Sequence, residues 1–296
     1  MSATTSATTQ NSPQARKGID PRWYSSSLLT LILVVGQWKF QMLGDSYLPW
    51  AVALGTSLLT ELILFRAHNP GRWPNLLSAY ISGNSVAILL KPSGAILWPF
   101  VVASMLAIVS KYVLRSGDRH LWNPTNFSIC ALLLIAPAQT TILSHEWGND
   151  LGIVLALWCV GLLVVFRAKV WHLTLGYLGM FAALAWFRTL FNGDTFAAEV
   201  GPITGPMYTL FIFFMVTDPK TIVRGRARQM FVLALIALTE CAIRMAADFE
   251  ILSTSSALAV APGMFALFFI GAPALLLDLK RPRQASPGAA PLAGVG

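Results

Sequence analysis

The sequence predicts an all-α fold: a polytopic transmembrane helical bundle of about ten spans, with N- and C-termini cytoplasmic. Three observations predict it. Of the 296 residues, 55% are hydrophobic and only 11% charged, and mean hydropathy is +0.63; soluble domains carry roughly 25% charged residues. The apolar residues come in repeated runs of roughly 16–22, long enough to cross a hydrocarbon core as helices and far too long for barrel strands. Most of the basic residues lie between those runs on one side. Because lipid offers backbone groups no outside partners, helices are the structure that such runs adopt.

Residues 1–22, "MSATTSATTQNSPQARKGIDPR", are polar and Ser/Thr/Gln-rich, and read as a flexible cytoplasmic tail. No small-residue cleavage site closes the apolar run that follows, so a signal peptide is not indicated. A single transmembrane domain covers 23–283. Its candidate spans are 25–43, 48–65, 75–91, 95–114, 125–143, 151–166, 171–190, 204–217, 229–246 and 257–279. The third holds the polar, glycine-interrupted "SAYISGNSV", and the eighth is short and follows "EVGPITGPM". Interrupted spans are where membrane proteins place irregular backbone around a site. Residues 284–296 form a second flexible tail rich in Pro, Gly and Ala.

Charge supports the count. With the N-terminus inside, all 21 basic residues except Lys39, Lys91, Arg188 and Arg244 fall in inner segments, while Asp45, Glu146, Asp150, Asp194, Glu199, Asp248 and Glu250 fall in outer ones. That is a positive-inside pattern. It also accounts for the net charge of +8 and excludes nucleic acid as the reason for it; the partner implied is the lipid bilayer. The loop "KTIVRGRAR", 220–228, is expected to touch anionic lipid.

Few motifs of soluble chemistry are present. Cys130, Cys159 and Cys241 each stand alone in an apolar run, with no C-x-x-C spacing, so no zinc or cysteine-ligated cluster, and no metal site, is expected. The four histidines lie in or beside loops, which disfavours haem ligation within spans. No P-loop, G-x-G-x-x-G or G-x-S-x-G stretch occurs.

Two proline turns stand out. Asn123-Pro124 opens the fifth span, with Asn as N-cap and Pro in the first helical turn. "TDPKTI", 217–222, repeats the pattern, with Asp218 as cap and Pro219 as first helical residue. They are either two capped re-entries or two helix N-termini whose free N–H groups form a mouth for an anion or cofactor. Of the charges inside spans, Lys39 can snorkel outward and three others stand out. Glu61 is about one turn before Arg66 and is expected to pair with it. Glu240 lies about eleven residues, or roughly 16 Å, into the ninth span, with Arg244 at i+4. Glu61, Glu240 and Arg244 are candidates for an ion or solute pathway, since buried charges in membranes face bundle interiors; the other reading of Glu240–Arg244 is a self-neutralised structural pair.

"SKYVLR…RHLWNPTNFSI", followed later by "FFMVTDPKT", resembles the RnfD/NqrB family, membrane proteins of the Rnf electron transport complex and of the sodium-translocating NADH:quinone reductase. It is most similar to the UnbU-like branch associated with enediyne biosynthesis, and the likeness spans about 75 to 279. The resemblance implies electron transfer coupled to ion translocation or to a biosynthetic redox partner, in a bacterial cytoplasmic (inner) membrane, with other subunits of a redox complex as partners. It marks Asn123, Pro124, Asn126, Thr217, Asp218 and Thr221, with Pro219, as cofactor-binding candidates at cytoplasmic helix ends. The cofactor implied is a flavin, FMN or riboflavin. Redox members attach FMN to a Thr of an S-G-A-T motif after the fifth span. Here the matching segment is "PAQTTILSHEWGND", with Thr140 and Thr141 but no S-G-A-T, so covalent attachment is not carried over. The alternative function is a transporter or channel for a small solute or natural product without a redox cofactor.

Overall fold

The computed structural model describes residues 22–142 and 150–281. Residues 1–21 and 282–296, with both predicted tails but for Arg22, and the part of the segment after the fifth span that includes Glu146 lie outside the described residues. The protein is all-α. Its helices are α1 (Arg22–Phe40), α2 (Leu48–His68), α3 (Leu77–Leu89), α4 (Trp98–Val113), α5 (Pro124–Ile135), α6 (Leu151–Arg167), α7 (Trp171–Asn192), α8 (Phe196–Val200), α9 (Pro206–Leu210), α10 (Arg226–Asp248), α11 (Ala257–Val260) and α12 (Pro262–Lys280). Two small antiparallel pairs accompany them. One joins β1 (Leu90–Pro92) to β4 (Thr140–Ile142), with Lys91 opposite Thr141; the other joins β2 (Arg115–Ser116) to β3 (Arg119–His120).

Among the described residues, α2, α7, α10 and α12 are long and apolar enough to cross a membrane. Burial follows the same logic. Large apolar side chains such as Leu59, Ile63, Leu155, Phe231, Leu238 and Leu277 face outward, while Ser57, Asn84, Ser104, Asn126, Ser128 and Thr174 are fully enclosed. A soluble protein places these the other way round. Inside the bundle Ser104, Asn126, Ser128 and Thr174 donate to backbone carbonyls, Ser104 to that of Ala53 at 3.0 Å, while Asn84 Oδ1 accepts from Trp50 Nε1 and Ser57 Oγ has no partner.

Helix ends follow local chemistry. Asn123 Oδ1 accepts from the Asn126 amide at 3.2 Å and caps α5, with Pro124 in the first turn. Asp150 caps α6. Gly193, at φ +77, ends α7 in the left-handed conformation that glycine adopts freely.

The structure corrects two expectations, at the fifth run and at the Thr217 turn, and matches the weakness read in the third and eighth runs. The fifth run does not continue as helix to residue 143: α5 ends at Ile135, ahead of Pro137, and the chain turns into β4. The third and eighth runs form short elements, α3 and then α9 continued by a π-helical turn at Phe211–Met215. The turn at Thr217–Ile222 does not start a helix. The Asp218 carbonyl accepts from the amides of Thr221 and Ile222, its Oδ1 accepts from the Lys220 amide at 2.9 Å, and α10 begins only after Gly225.

The order of packing repeats. In the first half α1 and α2 both lie on α3, α2 on α4, and α4 on α5; in the second, α6 and α7 both lie on the π-helical turn, α7 on α10, and α10 on α12. The halves meet where α1 touches α6, α3 touches α9, and α5 touches α12. The short helices therefore occupy the centre: every residue of α9 and most of α3 and α5 are buried.

Candidate functional site

Two assemblies contain the residues singled out in the sequence. The first is a clamp that joins the proline turns, 95 residues apart: Asn123 Nδ2 donates to Asp218 Oδ2 at 3.0 Å. The β2–β3 hairpin reinforces it, since Arg119 donates to the carbonyls of Pro219 and Lys220 at 3.1 Å each, and also to that of Ile222. Lys220 Nζ returns a bond to the Asp118 carbonyl at 3.0 Å. On the other flank, Asn126 Nδ2 donates to the Met264 carbonyl and Trp122 Nε1 to that of Phe268, both at 2.9 Å, fixing the start of α5 to α12.

Thr217 Oγ1 donates to the Phe213 carbonyl at 2.6 Å, and Thr221 Oγ1 to the Asp218 carbonyl at 3.3 Å. The six candidate residues thus come together, but they bond to one another and to backbone. Only Asn126 Oδ1 among them is a buried side-chain atom without a partner, and that residue is wholly enclosed. This set does not fit a flavin. Nor do the threonines after the fifth span: Thr140 is buried, bonding the Ala136 carbonyl at 2.7 Å, and Thr141 pairs in β4.

Electrostatics at the clamp follow from burial. Desolvation raises the Asp218 carboxyl above the usual carboxylate range, opposed by the bonds from Lys220 and Asn123 and by the Arg119 charge. His120 is pushed down to about 4 by burial and then by the charges of Lys111, Lys220 and Arg115, so it is neutral near pH 7.

The second assembly is centred on Glu240, which is 1% exposed. Its carboxylate accepts from the phenols of Tyr177 on α7 and Tyr208 on α9, and from Arg244 Nε at 3.0 Å; Arg244 also donates to Tyr208. The i+4 spacing read from the sequence is the spacing of this ion pair. Gly263, in the first turn of α12, leaves the room: a Cβ there would lie 3.2 Å from Glu240 Oε2. The carboxylate therefore sits against a helix N-terminus, where the backbone dipole favours negative charge.

A void of about 10 Å³ beside Glu240 is shared with Arg188, Arg244 and Phe181, roughly the room for one water. Arg188 bonds to Glu199, and its Nε lies 3.4 Å from Asp248 Oδ2. A line of charge thus runs from the middle of α10 to the end where α7 and α10 finish.

Glu61 is not part of this line and does not pair with Arg66. Five positions apart, the two point to different faces: Tyr112 of α4 donates to Glu61 Oε1 at 2.8 Å, while Arg66 lies over the Trp73 ring at 4.5 Å. The predicted lipid-facing loop is likewise modified, since Arg224 and Arg228 are tied to Asp278.

Sequence reasoning missed Tyr177, Tyr208, Arg188 and Glu199. The signal available was two tyrosines in apolar runs, whose hydroxyls need a partner when buried. No family model matches the chain, and no curated protein matches it.

Proposed function

We propose that the chain is an integral membrane subunit of the RnfD/NqrB type, with ten spans and both ends cytoplasmic in a bacterial inner membrane, and that it passes protons across the bilayer in step with a redox partner. The observation that carries the reading is the Glu240 cluster. A carboxylate and two phenols in direct hydrogen-bond contact can relay a proton. A metal cation there would meet the Arg244 charge and only four side-chain oxygens, two of them phenolic. The shared void links this group towards Arg188, Glu199 and Asp248, which gives the proton a route to the outer face. The clamp supports the family type, because the two motifs that carry the resemblance form one contact. Since the clamp residues do not fit a flavin, the electron carrier is assigned to a partner protein.

The experiment is proton flux in proteoliposomes. Wild type is expected to acidify the lumen under an imposed potential, and Glu240→Gln to lose that flux. Wild-type flux in Glu240→Gln would end the proposal. Flavin absorbance or in-gel fluorescence from the purified chain would overturn the assignment of the carrier to a partner.

A second reading, a solute or natural-product transporter with no redox link, is favoured by the repeated packing of the two halves around short central helices, an arrangement transporters use for alternating access. It predicts uptake of the solute without any electron donor.

A further inference from the structure

A cavity of about 960 Å³ shares no lining residue with either assembly. It is an open groove. α1 and α2 both pack on α3 but little on each other, so α3 forms a floor between two walls. Trp23, Leu31 and Val34 line one wall, Leu58 the other, and Leu77 and Tyr80 the floor. From Trp23 to Val34 the groove runs eleven residues along α1, roughly 16 Å at about 1.5 Å per residue. That is about half of a 30 Å hydrocarbon core, the depth of one leaflet. A strip of hydroxyls marks the half nearer the start of α1: Ser26, Ser27 and Thr30 line it, and Thr30 bonds to Tyr80 at 2.7 Å.

None of the lining residues is charged, but basic residues flank them along the chain. Arg66 ends α2 and Arg72 follows in the loop that brings Asn75 and Leu76 to the groove; both are exposed. Arg167 lies 6.0 Å from the Tyr24 ring in the first turn of α1. Neither 22–44 nor 62–76 contains an Asp or Glu. Asp20 and Asp45 flank 22–44 in the sequence; Glu61, which precedes 62–76, is buried and bonded to Tyr112 on α4. Arg66 and Arg72 have no carboxylate partner among the described residues, unlike Arg224 and Arg228.

We infer that this groove is a binding site for one anionic phospholipid of the cytoplasmic leaflet, its acyl chain between α1 and α2 and its phosphate at Arg66 and Arg72. An apolar slot of one-leaflet depth suits any membrane lipid; arginines with no carboxylate partner among the described residues select a net negative headgroup. The inference needs only the membrane-embedded reading and stands apart from proton transfer.

The test uses the full chain in detergent, titrated with phosphatidylglycerol or phosphatidylcholine and read by native mass spectrometry. One phosphatidylglycerol is expected to be retained at least tenfold more strongly than phosphatidylcholine. A basic residue near a headgroup contributes about 1 kcal/mol, or about fivefold, so Arg66→Gln with Arg72→Gln should remove most of that preference. Ser27→Trp, which fills the groove, should release the lipid. Equal retention of the two lipids would overturn the inference, as would a preference that survives the double arginine change. Extraction of a bound amphiphile lacking phosphate would also overturn it. The arginine variants are surface changes, so they decide the matter even if Ser27→Trp does not fold. Glu240→Gln should bind lipid as wild type does, which separates failure here from failure of the proton reading.

Discussion

Glu61 and Glu240 are both carboxylates inside the bundle, yet they are held differently. α2–α4 and α7–α10 are equivalent pairs in the repeated packing. In each, one carboxylate–tyrosine bond joins the two helices, with the roles exchanged: Glu61 of α2 takes Tyr112 of α4, and Glu240 of α10 takes Tyr177 of α7. Glu240 adds Tyr208, Arg244 and the first turn of α12, whereas Glu61 Oε2 has no partner. The residues differ in exposure, 1% at Glu240 against 9% at Glu61, although Glu61 Oε2 is itself buried. An ion out of water needs a counter-ion and several donors, while one near a helix end needs fewer. The repeat supplies the same scaffold twice, with more bonding built on it at Glu240.

The largest effect is expected at the deeper carboxylate. Glu240→Leu leaves Arg244 buried without its acid, and breaking such a pair costs about 3–5 kcal/mol, measured as thermal unfolding in detergent. Adding Arg244→Leu should recover most of the loss, because a buried pair replaced by apolar groups is often neutral. A double variant as unstable as the single one would mean that Glu240 matters through Tyr177 and Tyr208 alone.

Asp218 is an intermediate case, a partly buried carboxylate with neutral donors. Asn123→Ala removes both the α5 cap and a donor to Asp218, at about 2 kcal/mol in all. Its raised pKa fixes a sign. Stability from Asp218 is fully present below the ordinary value of 3.8 and is lost as pH rises through the folded value. Loss of the Asn123 donor should move that limb to higher pH. His120 acts in the opposite direction: held near 4 against an ordinary 6.5, it lowers stability as pH falls from 6.5 towards 4. Melting temperature followed against pH should show this acid limb flattened in His120→Gln.

The positions of the apolar runs and the i,i+4 ion pair were legible because both are local: a run length and a helical spacing fix them. Asn123 as a cap was legible for the same reason. The Thr217–Ile222 turn carries the same Asp-Pro signal but starts no helix, because Asp218 directs its side chain to Lys220 and Asn123, and no local pattern records the second partner. Tyr177 and Tyr208 lie 63 and 32 residues from Glu240, so only the packing of α7, α9 and α10 reveals them. The repeat was hidden because it resides in which helix packs on which, and residue types are exchanged between its halves. Its short elements were visible only as weak spans.

The smallest effect is expected at Glu61. Glu61→Gln keeps an acceptor for the Tyr112 hydroxyl and replaces a carboxylate oxygen that has no partner. The change exchanges a charged acceptor for a neutral one, a difference of about 1 kcal/mol or less, read from the same unfolding curves. The competing influence is Lys111, buried at 7% exposure on α4 next to Tyr112, with Nζ donating to both oxygens of Ser78 at 3.1 Å. If Glu61→Gln cost as much as Glu240→Leu, the field of Glu61 would be what neutralises Lys111. The two halves would then each hold a true ion pair, one bonded directly and one across a gap. A small cost that is unchanged in Lys111→Met would leave Glu61 as a carboxylate anchored by one phenol.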